Sequence, residues 1–384
     1  MVKFKEGTYK LNEQSNFDYQ LNRIIMWDGG RLEDIQKIAP KITNSETWKE
    51  YLIQIGDEAY KEKRIENAIA YYRMSEFFMY DGDPDKKKYY KLATDMFYDY
   101  YREYFDKGIV EKISVSYEGV ELPIMHAKAV GKRKDIILLH GGNDSYFEEL
   151  FFPMLYLSEN GYEVYLFEGP GQGGVVRLQN KHFTYKWEKP VKAILDYLQL
   201  DDVTIIGASL GGMLAPRAAA FDKRIKRVIA WSIFPNFLEV LIGTQPKHLQ
   251  NIVKFLLKIK CSPIINFVLN KKAKKDELIK WGLKHGMYAY EAKSPYEYLV
   301  KMNNYQVINI GDKIDQDMLI IGASKDHFIN YKTIGEEINS LENVRSLTVR
   351  IFTEKENAAA HCNVGNCKLV FDTMMNWIEK IKNI

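Results

Sequence analysis

Five consecutive residues carry the strongest chemical signal in the chain: Gly207-Ala208-Ser209-Leu210-Gly211, the pattern G-x-S-x-G. The apolar run at 203–206 precedes it as a strand, and 213–221 follows it as a helix. A serine on a turn that sharp is lifted above the sheet, and the flanking positions must be small because larger side chains would collide. The turn also brings the Leu210 N–H beside the hydroxyl, where it can hold an oxyanion. A small-residue turn that merely packs a helix on a strand would explain the pentapeptide alone; the flanking strand and helix favour a nucleophile. Such a serine needs a base, and in this architecture the chain order is nucleophile, acid, histidine. His248 and His285 precede any acid-bearing strand, and His327 directly follows Asp326, too close to receive its carboxylate. His361 remains, on the loop after the last strand. Asp312, Asp315 and Asp317 lie at the wrong end of the strand at 319–321, whereas Asp326 lies just past its far end. The expected relay is therefore Ser209, His361 and Asp326.

A second donor for the oxyanion is expected upstream, where the strand at 136–139 runs into His140-Gly141-Gly142-Asn143-Asp144. The backbone N–H of Gly142 or Asn143 is the candidate, with Leu210 as its partner. His140 reads as a loop anchor rather than a proton carrier.

These residues need a scaffold, and the hydrophobic period shows two kinds. Residues 1–108 hold half of the 26 tyrosines and repeat apolar residues at three and four, as in Trp48, Leu52, Ile55 and Ala59. Breaks at Asp28-Gly29-Gly30 and Asp81-Gly82-Asp83-Pro84 separate the helices. This predicts an all-helical N-terminal domain, 1–108, whose tyrosine stripe is packing surface. From 109 to 384 the pattern changes to α/β. A hairpin at 113–117 and 121–129 is followed by short apolar runs at 136–139, 164–167, 203–206, 228–231, 319–321 and 347–352, mostly alternating with helices. That alternation predicts a mostly parallel sheet covered on both faces. Between about 233 and 316 no strand stands out, and 13 Lys against 7 Asp+Glu leave a net charge of +6. This segment reads as a helical lid insertion over the carboxyl ends of the strands.

Composition narrows the classes. The 384 residues carry 54 Lys+Arg and 51 Asp+Glu, a net +3 that gives no reason to expect nucleic acid or acidic lipid as a partner. Three cysteines cannot form a disulfide framework and suit a reducing compartment. The start lacks the apolar core of a signal peptide, and no run of about 18 apolar residues exists. A cytoplasmic protein with no membrane partner is expected. Gly169-Pro-Gly171-Gln-Gly173-Gly174 matches G-x-G-x-x-G, but no helix start signal follows, so a dinucleotide is not expected. His361, Cys362 and Cys367 lack a further ligand at a usual spacing, so neither a metal nor any other cofactor is expected. Lys271-Lys272-Ala273-Lys274-Lys275 reads as a solvated helix end with weak anion attraction.

The motifs together resemble the α/β-hydrolase superfamily. The branch they look most like carries a helical N-terminal domain and includes 2,6-dihydroxypseudooxynicotine hydrolase, fungal polyketide-shortening hydrolases and FrsA-type esterases. The resemblance rests on the helical pair around 68–81, His140-Gly-Gly-Asn-Asp-Ser145 with Glu148-Glu149, Phe167-Glu-Gly-Pro-Gly-Gln-Gly173, the turn at Ser209, and Ala360-His361-Cys362. Glu168 stands where that branch usually has Asp, and Asn363 where Gln is common. The resemblance implies a serine hydrolase cleaving an ester, or an activated ketone C–C bond, of a small and partly apolar substrate. For the C–C reaction it implies a further acid/base carboxylate about thirty residues past the nucleophile, for which Glu239 is the candidate. A homodimer is left open. The rival from another class is a non-enzymatic protein-binding regulator on the same fold. An acyl-peptide hydrolase or aminopeptidase is a weaker enzymatic reading, since no propeller filter or amino-terminus site is apparent.

Overall fold

The computed structural model describes residues 2–80, 82–243 and 245–383. Asp81, the first residue of one expected break, lies outside them. The N-terminal part is helical: α1 (Ser15–Met26), α2 (Leu32–Ile38), α3 (Ser45–Lys61), α4 (Ile65–Ser75), α5 (Pro84–Tyr100) and α6 (Arg102–Asp106). Local chemistry sets the ends. Asn44 and Thr47 form a reciprocal capping box at the start of α3, and Asp83 with Pro84 opens α5. The tyrosine stripe packs on the second part, with Phe97, Tyr101 and Tyr104 against Phe151 at ring separations of 5.2–5.4 Å and Phe97 against Tyr101 at 4.9 Å.

The second part is an eight-stranded sheet among the described residues. Its strands are β1 (Val110–Tyr117), β2 (Val120–Ala127), β3 (Asp135–His140), β4 (Tyr162–Phe167), β5 (Val203–Ala208), β6 (Ile225–Trp231), β7 (Asp317–Ala323) and β8 (Ser346–Phe352). Their order is β1-β2-β4-β3-β5-β6-β7-β8, antiparallel at the first two pairings and parallel from β4 onward. Helices α7 (Phe151–Glu159), α8 (Gly173–Arg177), α9 (Glu188–Leu198) and α10 (Gly211–Phe221) connect the central strands. The stretch between β6 and β7 is helical throughout its regular parts: α11 (Phe237–Ile242), α12 (Lys247–Lys258), α13 (Ser262–Ala273), α14 (Glu277–Ala289) and α15 (Pro295–Met302). Helix α16 (Ile334–Ser340) leads to β8, and α17 (Cys367–Lys382) closes the chain. No helix among the described residues is long and apolar enough to cross a membrane.

One sequence reading is corrected here. A short helix, α8, does open at Gly173. The buried Glu168 carboxyl group accepts from the Gly174 N–H at 2.9 Å, so this helix start is occupied by the chain's own side chain, and a phosphate would have to displace it. Burial, together with the nearby Glu148, raises the Glu168 carboxyl to about 8.

The two parts are joined by buried charges. Arg23 of α1 grips Glu149 with two hydrogen bonds of 2.8 and 2.7 Å. Glu76 receives Arg177 Nε and Lys86 Nζ at 2.6 Å each and the Tyr146 hydroxyl at 2.5 Å. Burial pushes the Glu76 carboxyl up, but Arg177 and Lys86 outweigh it and pull it down to about 2. A fully buried carboxylate is tolerable only with partners of this kind.

Candidate active site

The turn between β5 and α10 holds Ser209 at φ +58°, in the left-handed region that a serine seldom adopts. Its N–H donates to the Trp231 carbonyl at 3.0 Å, which ties the strained residue to the end of β6. Gly207 must be glycine, because a Cβ there would lie 2.2 Å from the Gly211 carbonyl oxygen. Ser209 Oγ lies 2.9 Å from His361 Nε2, and His361 Nδ1 lies 2.6 Å from Asp326 Oδ2. The carboxylate fixes the tautomer: Nδ1 carries the proton and Nε2 is free to accept from the hydroxyl.

Each partner is itself held. Asp326 sits past β7 and accepts the Phe328 and Ile329 N–H groups on Oδ1 at 2.9 and 3.0 Å. Its loop is stitched to the histidine loop by Lys325 N–H donating to the Ala359 carbonyl at 2.9 Å. The histidine loop is pinned by Asn363, which accepts from Trp231 Nε1 at 2.9 Å and donates to the Ala358 carbonyl at 2.7 Å. Burial alone would push the His361 pKa down, but the Asp326 carboxylate outweighs it and holds it well above the ordinary histidine value. Burial would raise Asp326, and its histidine and hydrogen-bond partners more than reverse that.

The upstream loop lies directly against this turn. A Cβ on Gly142 would sit 2.7 Å from the Ala208 carbonyl oxygen, from Leu210 N and from Ser209 Cβ. Of the two upstream donors expected, the Gly142 N–H is already spent on Ser145 Oγ at 2.9 Å. The N–H groups of Asn143 and Leu210 have no acceptor among the described residues. Thus Gly142 serves the site by its missing side chain, and Asn143 carries the open N–H. Gln172, from the glycine-rich loop, donates to the Gly141 and Gly142 carbonyls at 2.8 and 3.1 Å, so that loop braces the donor loop. Further bracing comes from Tyr290 on Asn143 Oδ1 at 2.7 Å and His285 Nε2 near the Asn143 carbonyl at 3.1 Å. His140 is buried against the Gly141 carbonyl, with burial lowering its pKa to about 4, so it stays neutral.

Glu239 requires a correction. It does not line the cavity at Ser209; it lies in the first turn of α11, capped by Asn236, and pairs with Lys254 at 2.5 Å. The apolar neighbours Phe237, Leu238 and Ile242 are buried by the same short helix, which turns Glu239 to a partly solvated side.

A cavity of about 470 Å³ opens over Ser209 and His361, walled mainly by apolar residues of α11 to α15. Its polar residues besides Ser209 and His361 are Asn143, Asp144, Ser145, Glu149, Gln245, Lys272, His327 and the N-terminal Tyr19 and Arg23. Asp144 Oδ1 lies 3.8 Å from Arg23. His327 Nε2 is buried without a partner among the described residues, and burial lowers that imidazole to about 4. Sequence reasoning missed the contribution of α1. The one available signal was Arg23 itself, a charge set among Leu21, Ile24, Ile25 and Met26. Among the described residues no group of three His, Cys, Asp or Glu could hold a metal ion. Chemically, the arrangement can draw a proton from a serine hydroxyl and receive negative charge on two backbone N–H groups.

The family described as alpha/beta hydrolase fold matches residues 135–363. Among curated proteins, hydrolase acrC of Aspergillus aculeatus is 26% identical over 362 residues, covering 85% of this chain and 82% of its own. The 20-hydroxy-prefusarin hydrolase FUS2 of Gibberella moniliformis is 27% identical over 344 residues, covering 81% and 79%. Among solved structures, a 2,6-dihydroxy-pseudo-oxynicotine hydrolase aligns with a TM-score of 0.64 at 17% identity, covering 93% of this chain and 94% of its own. That coverage takes in the N-terminal helices as well as the sheet, and is a likeness of fold.

Proposed function

This chain belongs to the alpha/beta hydrolase family and is a hydrolase, and from that premise we propose that Ser209 is its nucleophile, His361 its general base and Asp326 the carboxylate that orients the base. The observation that carries the reading is the pair of contacts, 2.9 Å and 2.6 Å, that link the three side chains in order. In the first half-reaction His361 takes the Ser209 proton as Oγ attacks a carbonyl carbon. The carbonyl oxygen becomes an oxyanion held by the Leu210 and Asn143 N–H groups. Collapse expels the leaving group, which collects the proton from His361, and leaves an acyl-serine. In the second half, His361 deprotonates a water that attacks the acyl carbon. The acid departs and Ser209 regains its proton.

The cavity favours a substrate with an apolar body and one polar end near Ser209. The bond broken is an ester, or the C–C bond of an activated ketone. The latter expels carbon rather than oxygen, so it asks for a group that can protonate the departing carbon. Two carboxylates line the cavity beside Arg23; Glu149 is held by two hydrogen bonds from that guanidinium, which leaves Asp144, 3.8 Å from it, to take the place first considered for Glu239. A purely docking role would need none of this geometry. The test is hydrolysis of p-nitrophenyl butyrate and of a β-diketone by the purified chain and by Ser209→Ala. The variant should lose on the order of 10⁴-fold or more in rate. If it kept a tenth of wild-type activity on every substrate, the reading would be wrong.

A further inference from the structure

The most cationic stretch of the chain is also a concentrated apolar surface. Positions 240–275 hold eight lysines and no Asp or Glu. Lys254 pairs with Glu239, and Lys272 donates to Gln245. Lys247, Lys258, Lys260, Lys271, Lys274 and Lys275 are exposed and pair with no carboxylate among the described residues. On α12, α13 and the turn between them stand Ile252, Phe255, Ile259, Ile264, Phe267 and Val268, all exposed; Phe255 is 59% and Phe267 68% exposed. Leaving that many large apolar groups in water within seventeen positions needs a reason, since scattered single residues are the norm. Ile252, Ile264 and Val268 also line the cavity over Ser209, so the patch and the cavity wall are one continuous surface.

We propose that the α12–α13 hairpin docks on an anionic lipid surface. Phe255, Ile259 and Phe267 enter the boundary between headgroups and acyl chains, and the six unpaired lysines face the lipid phosphates. An apolar substrate then passes from the bilayer to Ser209 behind Ile252 and Ile264. Charge selects this occupant: a second copy meeting the same face would bring two sets of unpaired lysines together. The sequence expectation of no membrane partner rested on the near-balanced charge of the whole chain and the lack of a spanning helix. Docking through one locally cationic surface requires neither a large net charge nor a span.

The docking is independent of the catalytic reading and is measured without activity. The full chain is sedimented with vesicles of phosphatidylcholine alone and of phosphatidylcholine mixed with phosphatidylserine. Binding should favour the anionic vesicles by about tenfold or more and weaken with added salt. Replacing Lys271, Lys274 and Lys275 together by Ser should reduce that binding by about 10²-fold, near fivefold per lysine. Phe255→Ser with Phe267→Ser should reduce it by about tenfold. None of these residues lines the cavity, so hydrolysis of a soluble ester should stay unchanged and report correct folding. Equal binding to both vesicle types, or binding unmoved by the lysine replacements, overturns the proposal. So does a stable dimer in sedimentation equilibrium that Phe267→Ser dissociates, because the face would then be a self-association surface.

Discussion

Replacing Gly142 by Ala adds one methyl group at the point where the donor loop meets the nucleophile turn. The new Cβ would lie 2.7 Å from three atoms of residues 208–210, two of them backbone. An ordinary contact is about 3.4 Å or more, so the loop or the turn must retreat by roughly 0.7 Å, and backbone has no rotamer with which to escape. One of the three atoms is Leu210 N, a proposed oxyanion donor, and another belongs to Ser209 itself. A displacement near 1 Å costs about 10²-fold through misorientation, and a misaligned oxyanion donor costs about 10²–10³-fold. Gly142→Ala should therefore lower kcat/KM on p-nitrophenyl butyrate by about 10²-fold, mainly through kcat, with destabilisation of about 1–3 kcal/mol from overpacking. The control is Gly335→Ala in α16, where an added Cβ meets nothing within 4 Å and activity should not change. A Gly142→Ala enzyme that is folded and keeps more than half its activity would refute the tight apposition of loop and turn as a working part of the site.

Activity should rise with pH. His361 accepts the serine proton only when neutral, and Asp326 holds its pKa above the ordinary histidine value, so kcat/KM should climb through one ionisation whose midpoint lies above about 6.5. A midpoint below that value, with chemistry rate-limiting, would contradict the pairing. Asp326→Asn should cost about 10⁴-fold, because an amide can no longer fix the productive tautomer, and a loss under tenfold would argue against an orienting carboxylate. Asp144→Asn and Glu239→Gln should separate cleanly. Asp144→Asn should cut ketone cleavage by about 10²-fold while sparing an activated ester. Glu239→Gln, which breaks only its pair with Lys254, should leave both reactions within about twofold. Loss of ketone cleavage in Glu239→Gln would return that residue to the mechanism.

The fold class was legible because each parallel strand, buried on both faces, reads as an apolar run between turn residues. The runs started late because some strands begin with buried charge. Asp135 opens β3 as an acceptor for Arg227 at 2.9 Å and Thr204 at 2.6 Å, and Asp317 opens β7 paired with Arg345. Hydrophobic period cannot see a carboxylate satisfied inside the core. The choice of Ser209, Asp326 and His361 came from chain order and from the end of the strand each follows, both properties of sequence. Which backbone N–H is open was not legible, since it depends on the Ser145 hydroxyl bonding to Gly142. Glu239 misled for a related reason: its neighbours are apolar, but a six-residue helix buries them and leaves the carboxylate to a lysine fifteen positions on. The reach of α1 into the cavity is long-range packing: Arg23 among apolar neighbours marks a buried charge, but nothing local says which partner or cavity it meets.

The central claim is that Ser209 is a nucleophile activated by its neighbours. Intact and peptide mass spectrometry of the full chain after treatment with a fluorophosphonate measures this without any knowledge of the natural substrate. The account predicts a single phosphonyl adduct on Ser209, formed with simultaneous loss of ester hydrolysis, and a rate of labelling that falls by orders of magnitude in His361→Ala. An unlabelled Ser209 in a protein that still hydrolyses the ester, or labelling equally fast without His361, would contradict it.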